Sequence, residues 1–157
     1  FLSHSSFMAE VFMEFWSRAV DASSRFRELR FHQTIKRIPN ILKRHLEKEG
    51  WKLELPGKIE GKSGLIQEFD FIIRKMDNPE RIVVGDFLVK ESYATASVIA
   101  LYVKSLDVEP DRKILVTPSM EQMSEELLSL IKNYGINLVW GLDAKEVCSS
   151  ILKNLRR

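Results

Sequence analysis

Cysteine is almost absent from this sequence, with Cys148 the single one among 157 residues. A lone cysteine can form neither an internal disulfide framework nor a cysteine-based zinc site. Its use fits a reducing compartment, so the cytoplasm is the expected location, and at a helical position it reads as a small core residue. Membrane-length apolar runs are absent as well. The opening Phe1–Val20 is apolar, but Glu10, Glu14 and Arg18 interrupt it, and no basic start precedes it. It therefore does not read as a secretory signal, and no membrane contact is expected. Histidine is scarce: His4, His32 and His45 show no ligand spacing, and His45 reads as a half-buried helix residue. No Ser-His-Asp or Cys-His arrangement can be drawn. Gly61-Lys62-Ser63 looks like the end of a phosphate-binding loop, yet the opening glycine is missing and a strand follows, which excludes that motif. Repeats, low-complexity stretches and linkers are lacking too, and the length suits one domain with a real core.

What is present is ordinary globular composition, 45% apolar and 29% charged, with a net charge of +2. The charge is uneven. Between Arg25 and Gly50 eight basic residues, among them Arg37, Lys43 and Arg44, face three acids, giving +5 there and −3 elsewhere. Such a helix could follow a phosphate backbone or be a solvated face.

Periodicity sets the element order. Phe7, Val11, Phe12, Phe15, Trp16 and Ala19 fall at helical spacing, and Phe12, Phe15 and Trp16 read as core in preference to a partner surface. Ser23 and Ser24 offer an N-cap for a second helix from about Arg25, which Pro39 should kink or restart and Gly50 should end. Three strands are expected at Trp51–Leu55, Leu65–Ile73 and Arg81–Val89, joined by short turns as an antiparallel meander. A helix follows from Glu91-Ser92 to about Leu106, then a buried strand Lys113–Thr117. Ser119 with Gln122 suggests a capping box for the next helix, ending at Tyr134-Gly135. Ile136–Trp140 forms another buried strand, and Asp143 caps a last helix carrying Val147, Ile151 and Leu155. The whole is α/β, one mixed sheet with helices on both faces.

The chemistry-bearing residues lie in the second and third strands. Glu68 and Asp70 alternate with Phe69, Phe71 and Ile73, which puts both carboxylates on one face. Adjacent carboxylates repel unless a cation joins them, and Mg²⁺ takes one or two carboxylates with water and phosphate oxygens. Asp86 sits in the apolar run Ile82–Val89, flanked on its own face by Val84 and Leu88, where an unpartnered carboxylate is costly. A shared metal or lysine would join Asp70 and Asp86. For Glu68, a solvated sheet margin is the alternative.

The segment Gly61-x-Ser63-Gly64-x-x-Gln67-x-Phe69-Asp70, with Asp86 sixteen positions on, resembles the PD-(D/E)XK restriction-endonuclease-like superfamily. Across Ile35–Trp140, with Lys113–Ser119 and Gly135–Trp140, the chain is similar to its Mrr and archaeal resolvase-type branch. The resemblance implies an αβββαβ core over residues 25–157. Residues 1–24 are expected as an extra leading helix or a cloning remnant, since the chain starts at Phe1 and is either that or a piece of a longer protein. It implies Asp70 and Asp86 as catalytic and Mg²⁺-binding residues, with Glu68 as a further ligand. The lysine expected two positions after Asp86 is Leu88, which cannot activate water or balance developing charge. Lys90 is the replacement on the same strand face, but at about 13 Å along the strand it reaches the acids only if the strand bulges or ends early. Lys62 is a second replacement, swinging from its loop. The glutamate expected near the start of the first helix is absent, Arg37 or Asn40 standing there.

Three functions follow as expectations. The first is a nuclease-like domain that binds DNA, or a nucleic-acid-bound partner, through Lys62, Arg37, Lys43 and Arg44, with weak or no cleavage. The second is an active Mg²⁺-dependent DNA endonuclease using a displaced lysine. The third is a protein-interaction module for an acidic or transcription-related partner. Related folds pair through helices or edge strands, so a homodimer is also an expectation.

Overall fold

The computed structural model describes residues 2–156 except residue 122, with side chains from Phe7 onward. Helix α1 (Leu2–Lys48) leads into β1 (Trp51–Glu54), β2 (Gly57–Glu60), β3 (Ile66–Phe69), β4 (Phe71–Lys75) and β5 (Ile82–Phe87). A 3₁₀ turn (Glu91–Tyr93) precedes α2 (Ala94–Val108). Then come β6 (Arg112–Thr117), α3 (Glu125–Asn133), β7 (Ile136–Trp140) and α4 (Ala144–Arg156).

Five strands form a mixed sheet in the order β1-β4-β5-β6-β7. The β1/β4 and β4/β5 pairs are antiparallel, as the short turns require, while β5/β6 and β6/β7 are parallel across helical crossovers. One face packs against α1 and α4 through Phe31, Ile38, Leu42, Phe71, Val83, Ile114 and Ile151. The other packs against α2 and α3 through Phe69, Ile72, Val84, Leu88, Val98, Leu115 and Ile131. The expected α/β class, mixed sheet and leading helix all stand.

Three local expectations give way. Ser23 and Ser24 do not start a helix, because α1 runs through them without a break. Pro39 also lies inside α1 and does not restart it; burial of Ile38, Leu42 and Leu46 against the sheet holds the helix on both sides of the lost hydrogen bond. The third helix is capped by Ser124, whose hydroxyl accepts from the Leu127 amide at 3.2 Å. Ser119 instead accepts from the Glu121 amide in the preceding turn, and Gln122 lies outside the described residues. By contrast, Asp143 caps α4 as expected, accepting from the Lys145 and Glu146 amides at 2.9 and 3.0 Å.

The expected strand Leu65–Ile73 is in fact two. Its first half, β3, pairs with β2 in a separate two-stranded hairpin, and only its second half joins the large sheet. Asp70 is the residue at the bend between them. The hairpin is anchored by Asp107 of α2, which accepts from the Ser63 amide, the Ser63 hydroxyl and Gln67, each at 2.8 Å. A side chain at Gly61 would run into that carboxylate, a Cβ falling 2.0 Å from its Oδ2. Thus the glycine-rich lead-in is a docking surface for the hairpin.

Candidate active site

Asp70 and Asp86 come together where the β4/β5 ladder ends. The last rung pairs Phe71 with Gly85, and beyond it the backbone amides need other acceptors. Two carboxylates supply them reciprocally. The Asp70 amide donates to Asp86 Oδ1 at 2.9 Å, and the Phe87 amide donates to Asp70 Oδ2 at 2.7 Å. Asp86 points to the α2 side of the sheet, in line with Val84 and Leu88, as alternation requires.

From α2, Lys104 completes the cluster. Its Nζ donates to Asp86 Oδ2 at 2.7 Å and to the Glu68 carbonyl at 2.8 Å, and lies 4.5 Å from the centre of the Phe69 ring. The pair is largely withdrawn from solvent, with side chains 24% and 15% exposed, so each charge depends on the other. Ala100 and Ser97, one and two turns back on the same helix, are small and leave an open cleft of about 340 Å³ above the acids. Pro56 and Phe87 close its sides.

The electrostatics leave room for another cation. Two carboxylates face one ammonium, and desolvation raises the Asp70 carboxyl above its ordinary value, with the nearby Asp86 charge adding to it. The Phe87 amide and Lys104 work against that rise without cancelling it. Among the described residues no cluster of three His, Cys, Asp or Glu side chains is arranged to hold a metal. A metal here would have two protein ligands, Asp70 and Asp86, with the rest from water and phosphate, within the habits of Mg²⁺.

The other residues singled out in the sequence do not join this cluster. Glu68 lines the cleft beside Asp70, but it is the Glu68 carbonyl that receives Lys104. Its carboxylate pairs with Lys58 of β2 at 2.7 Å, which holds it below the usual range. Lys90 is exposed, does not line the cleft, and caps the 3₁₀ turn, since β5 ends at Phe87 and the chain turns away. Lys62 is held by Glu109 at 2.5 Å beside the hairpin loop. Arg37, Lys43 and Arg44 belong to α1, which packs on the sheet face opposite α2. There Lys43 lies 4.0 Å from Glu47, and Arg44 joins Lys145, Lys153 and Arg156 around a groove of about 600 Å³ between α1 and α4. His45 is exposed, not half-buried, and its Nδ1 lies 2.9 Å from the Ile41 carbonyl. Cys148 is a core residue as expected, its thiol pushed up to about 12 by burial.

Lys104 is the residue that sequence reasoning missed. One signal was available: it is the single basic residue of α2, set at helical spacing from Ser97 and Ala100.

No family model matches the chain, and no curated protein matches it. Among solved structures it is similar to the crystal structure of AF1548, a protein of unknown function. The identity is 20%, with a TM-score of 0.49, over 81% of this chain and 67% of that one.

Proposed function

We propose that the Asp70–Asp86–Lys104 cleft is a phosphodiester-binding site of nuclease-like type, in a domain that engages nucleic acid with weak or no cleavage. The carrying observation is the convergence of two carboxylates and one lysine at an open cleft on the edge of a mixed sheet. This is the donor set a PD-(D/E)XK site calls for, with the lysine arriving from α2 instead of the strand. Lys104 supplies a positive charge for a non-bridging phosphate oxygen, and Asp70 and Asp86 supply ligands for Mg²⁺. Mg²⁺, when bound, would polarise the phosphate and acidify a water. Slow turnover follows from the protein's own bonds. Asp86 has both oxygens engaged, by Lys104 and the Asp70 amide, and Asp70 has one engaged by Phe87.

Binding is tested by gel shift with single-stranded, duplex and branched DNA across a salt series. The reading expects a shift that weakens steeply with salt and is lost in Lys104→Ala. A shift unchanged by Lys104→Ala, together with loss on removing Arg44 and Lys153, would move binding to the α1/α4 groove and overturn it.

A second reading, an active Mg²⁺-dependent endonuclease, is favoured by the same lysine, because an ammonium at the acids can do what Leu88 cannot. Plasmid nicking in Mg²⁺ or Mn²⁺ that disappears in both Asp70→Ala and Lys104→Ala would establish it. Interaction with an acidic protein at the α1/α4 groove is the remaining alternative, and it leaves Asp70 without a role.

A further inference from the structure

The N-terminal half of α1 carries a regularly spaced apolar stripe on the wrong side for the fold, while Met13, Trp16 and Val20 continue the sheet-facing side and are exposed as well. Met8, Phe12, Phe15, Ala19, Ala22, Phe26 and Leu29 are spaced alternately four and three residues apart, the repeat of a helix that pairs with another helix. Further along, Phe31, Thr34, Ile38, Leu42 and Leu46 form the stripe buried on the sheet. At 100° per residue the two stripes point about 150° apart around one continuous helix. The first therefore cannot turn onto this domain's core. It stands in solvent: Met8, Phe12, Phe15, Phe26 and Leu29 are each more than 60% exposed, and Phe7 and Trp16, at 61% and 59%, flank it on opposite sides of the helix. The expectation that Phe12, Phe15 and Trp16 are core is thereby overturned.

We infer that this stripe is a self-pairing seam, where a second copy of the chain lays the same half of its own α1 to form a homodimer. Area and charge support that occupant. Aromatic side chains bury 150–250 Å² each when covered, so the three on the seam, Phe12, Phe15 and Phe26, already partly shielded by the helix, offer roughly 300–500 Å². With Met8, Val11 and Leu29 the surface approaches the ~600 Å² per partner at the lower end of stable interfaces. The polar side of the same segment mixes signs, Glu10, Glu14, Asp21 and Glu28 against Arg18, Arg25 and Arg27. A helix built to lie on an anionic membrane surface would be basic there. A helix built for a strongly charged partner would carry one sign. A near-balanced surface suits its own copy, and Ala19 and Ala22 at the centre let two backbones approach between the phenylalanines.

The test is sedimentation velocity of the 157-residue chain across the micromolar range. The seam predicts a reversible dimer, weakened roughly a hundredfold or more in Phe12→Glu/Phe15→Glu. Because these positions lie outside the core, the variant keeps the wild-type circular dichroism of the α/β domain. Ser17→Glu, on the polar side of the same turns, leaves the dimer intact. A wild-type monomer throughout the range overturns the inference. So does a dimer that survives the double substitution, or a monomer that binds anionic vesicles.

Discussion

Lys104 and Asp86 form a charge pair whose halves cannot be removed separately without cost. Lys104→Met keeps the stem against Phe69 but leaves Asp86 half-buried without its cation. It is expected to destabilise the fold by about 2 kcal/mol in urea unfolding. Asp86→Asn in the same chain should recover part of that loss, a coupling a double-mutant cycle reads directly. Asp70 gives a pH signature. Its carboxyl value is raised on folding, mainly by desolvation, so the folded state holds the proton more tightly than the unfolded chain. Its contribution is therefore fully present below the ordinary carboxylate value and is lost as pH rises through the raised one. Asp70→Asn should flatten stability over that window, and divalent-metal affinity should rise with pH across it in the wild type alone. Leu88 carries a different lesson. Leu88, where the PD-(D/E)XK resemblance leads one to expect a lysine, is only 3% exposed within the core beneath α2. Leu88→Lys would bury an ammonium among Val84, Val98 and Leu115. It should cost several kcal/mol and lower the thermal midpoint, without creating activity. Asp70 and Asp86 were legible because an acid inside an apolar strand demands a partner. Lys104 was not, because the contact spans eighteen residues and a change of element, which alternation and helical spacing do not see.

At the scale of elements, the hairpin decides whether the cleft exists. It presents the Glu68 carbonyl and Phe69 to Lys104, and its own position depends on Asp107 receiving Gln67 and Ser63. Gly61→Ala forces a Cβ into that carboxylate and should undock the hairpin. The expected loss is about 1–3 kcal/mol of stability, with amide exchange quickened over residues 57–69 before the main sheet is affected. Most strands, the turns and the ends of the helices were readable where each follows one local rule: Gly50 and Gly135 at helix ends, Asp143 at a helix start, continuous apolar runs in β6 and β7; β2 (Gly57–Glu60) was not read. The break of Leu65–Ile73 into two strands was hidden, because alternation continues unbroken across Asp70 while the backbone changes partners. Unbroken α1 was hidden for the opposite reason. Serine pairs and proline are local stop signals, and here packing of Ile38, Leu42 and Leu46 overrides them.

For the whole molecule, charge and topology divide the surface in two. The acid–lysine cleft lies on the α2 side of the sheet, and the basic residues Arg44, Lys145, Lys153 and Arg156 surround a groove on the α1/α4 side. The basic stretch was plain in the sequence, but which sheet face it would occupy was not, since that follows from the crossovers. Among the described residues no helix is long and apolar enough to cross a membrane. On the proposed reading, charge removal at the cleft should matter more than at the groove. The most direct measurement is Mn²⁺ titration of isotopically labelled protein with a short DNA oligonucleotide, following paramagnetic broadening of backbone amides. Broadening centred on Asp70 and Phe87, and abolished by Asp70→Asn, is the predicted result. Broadening elsewhere, or none at these amides, would contradict a metal- and phosphate-binding role for Asp70 and Asp86.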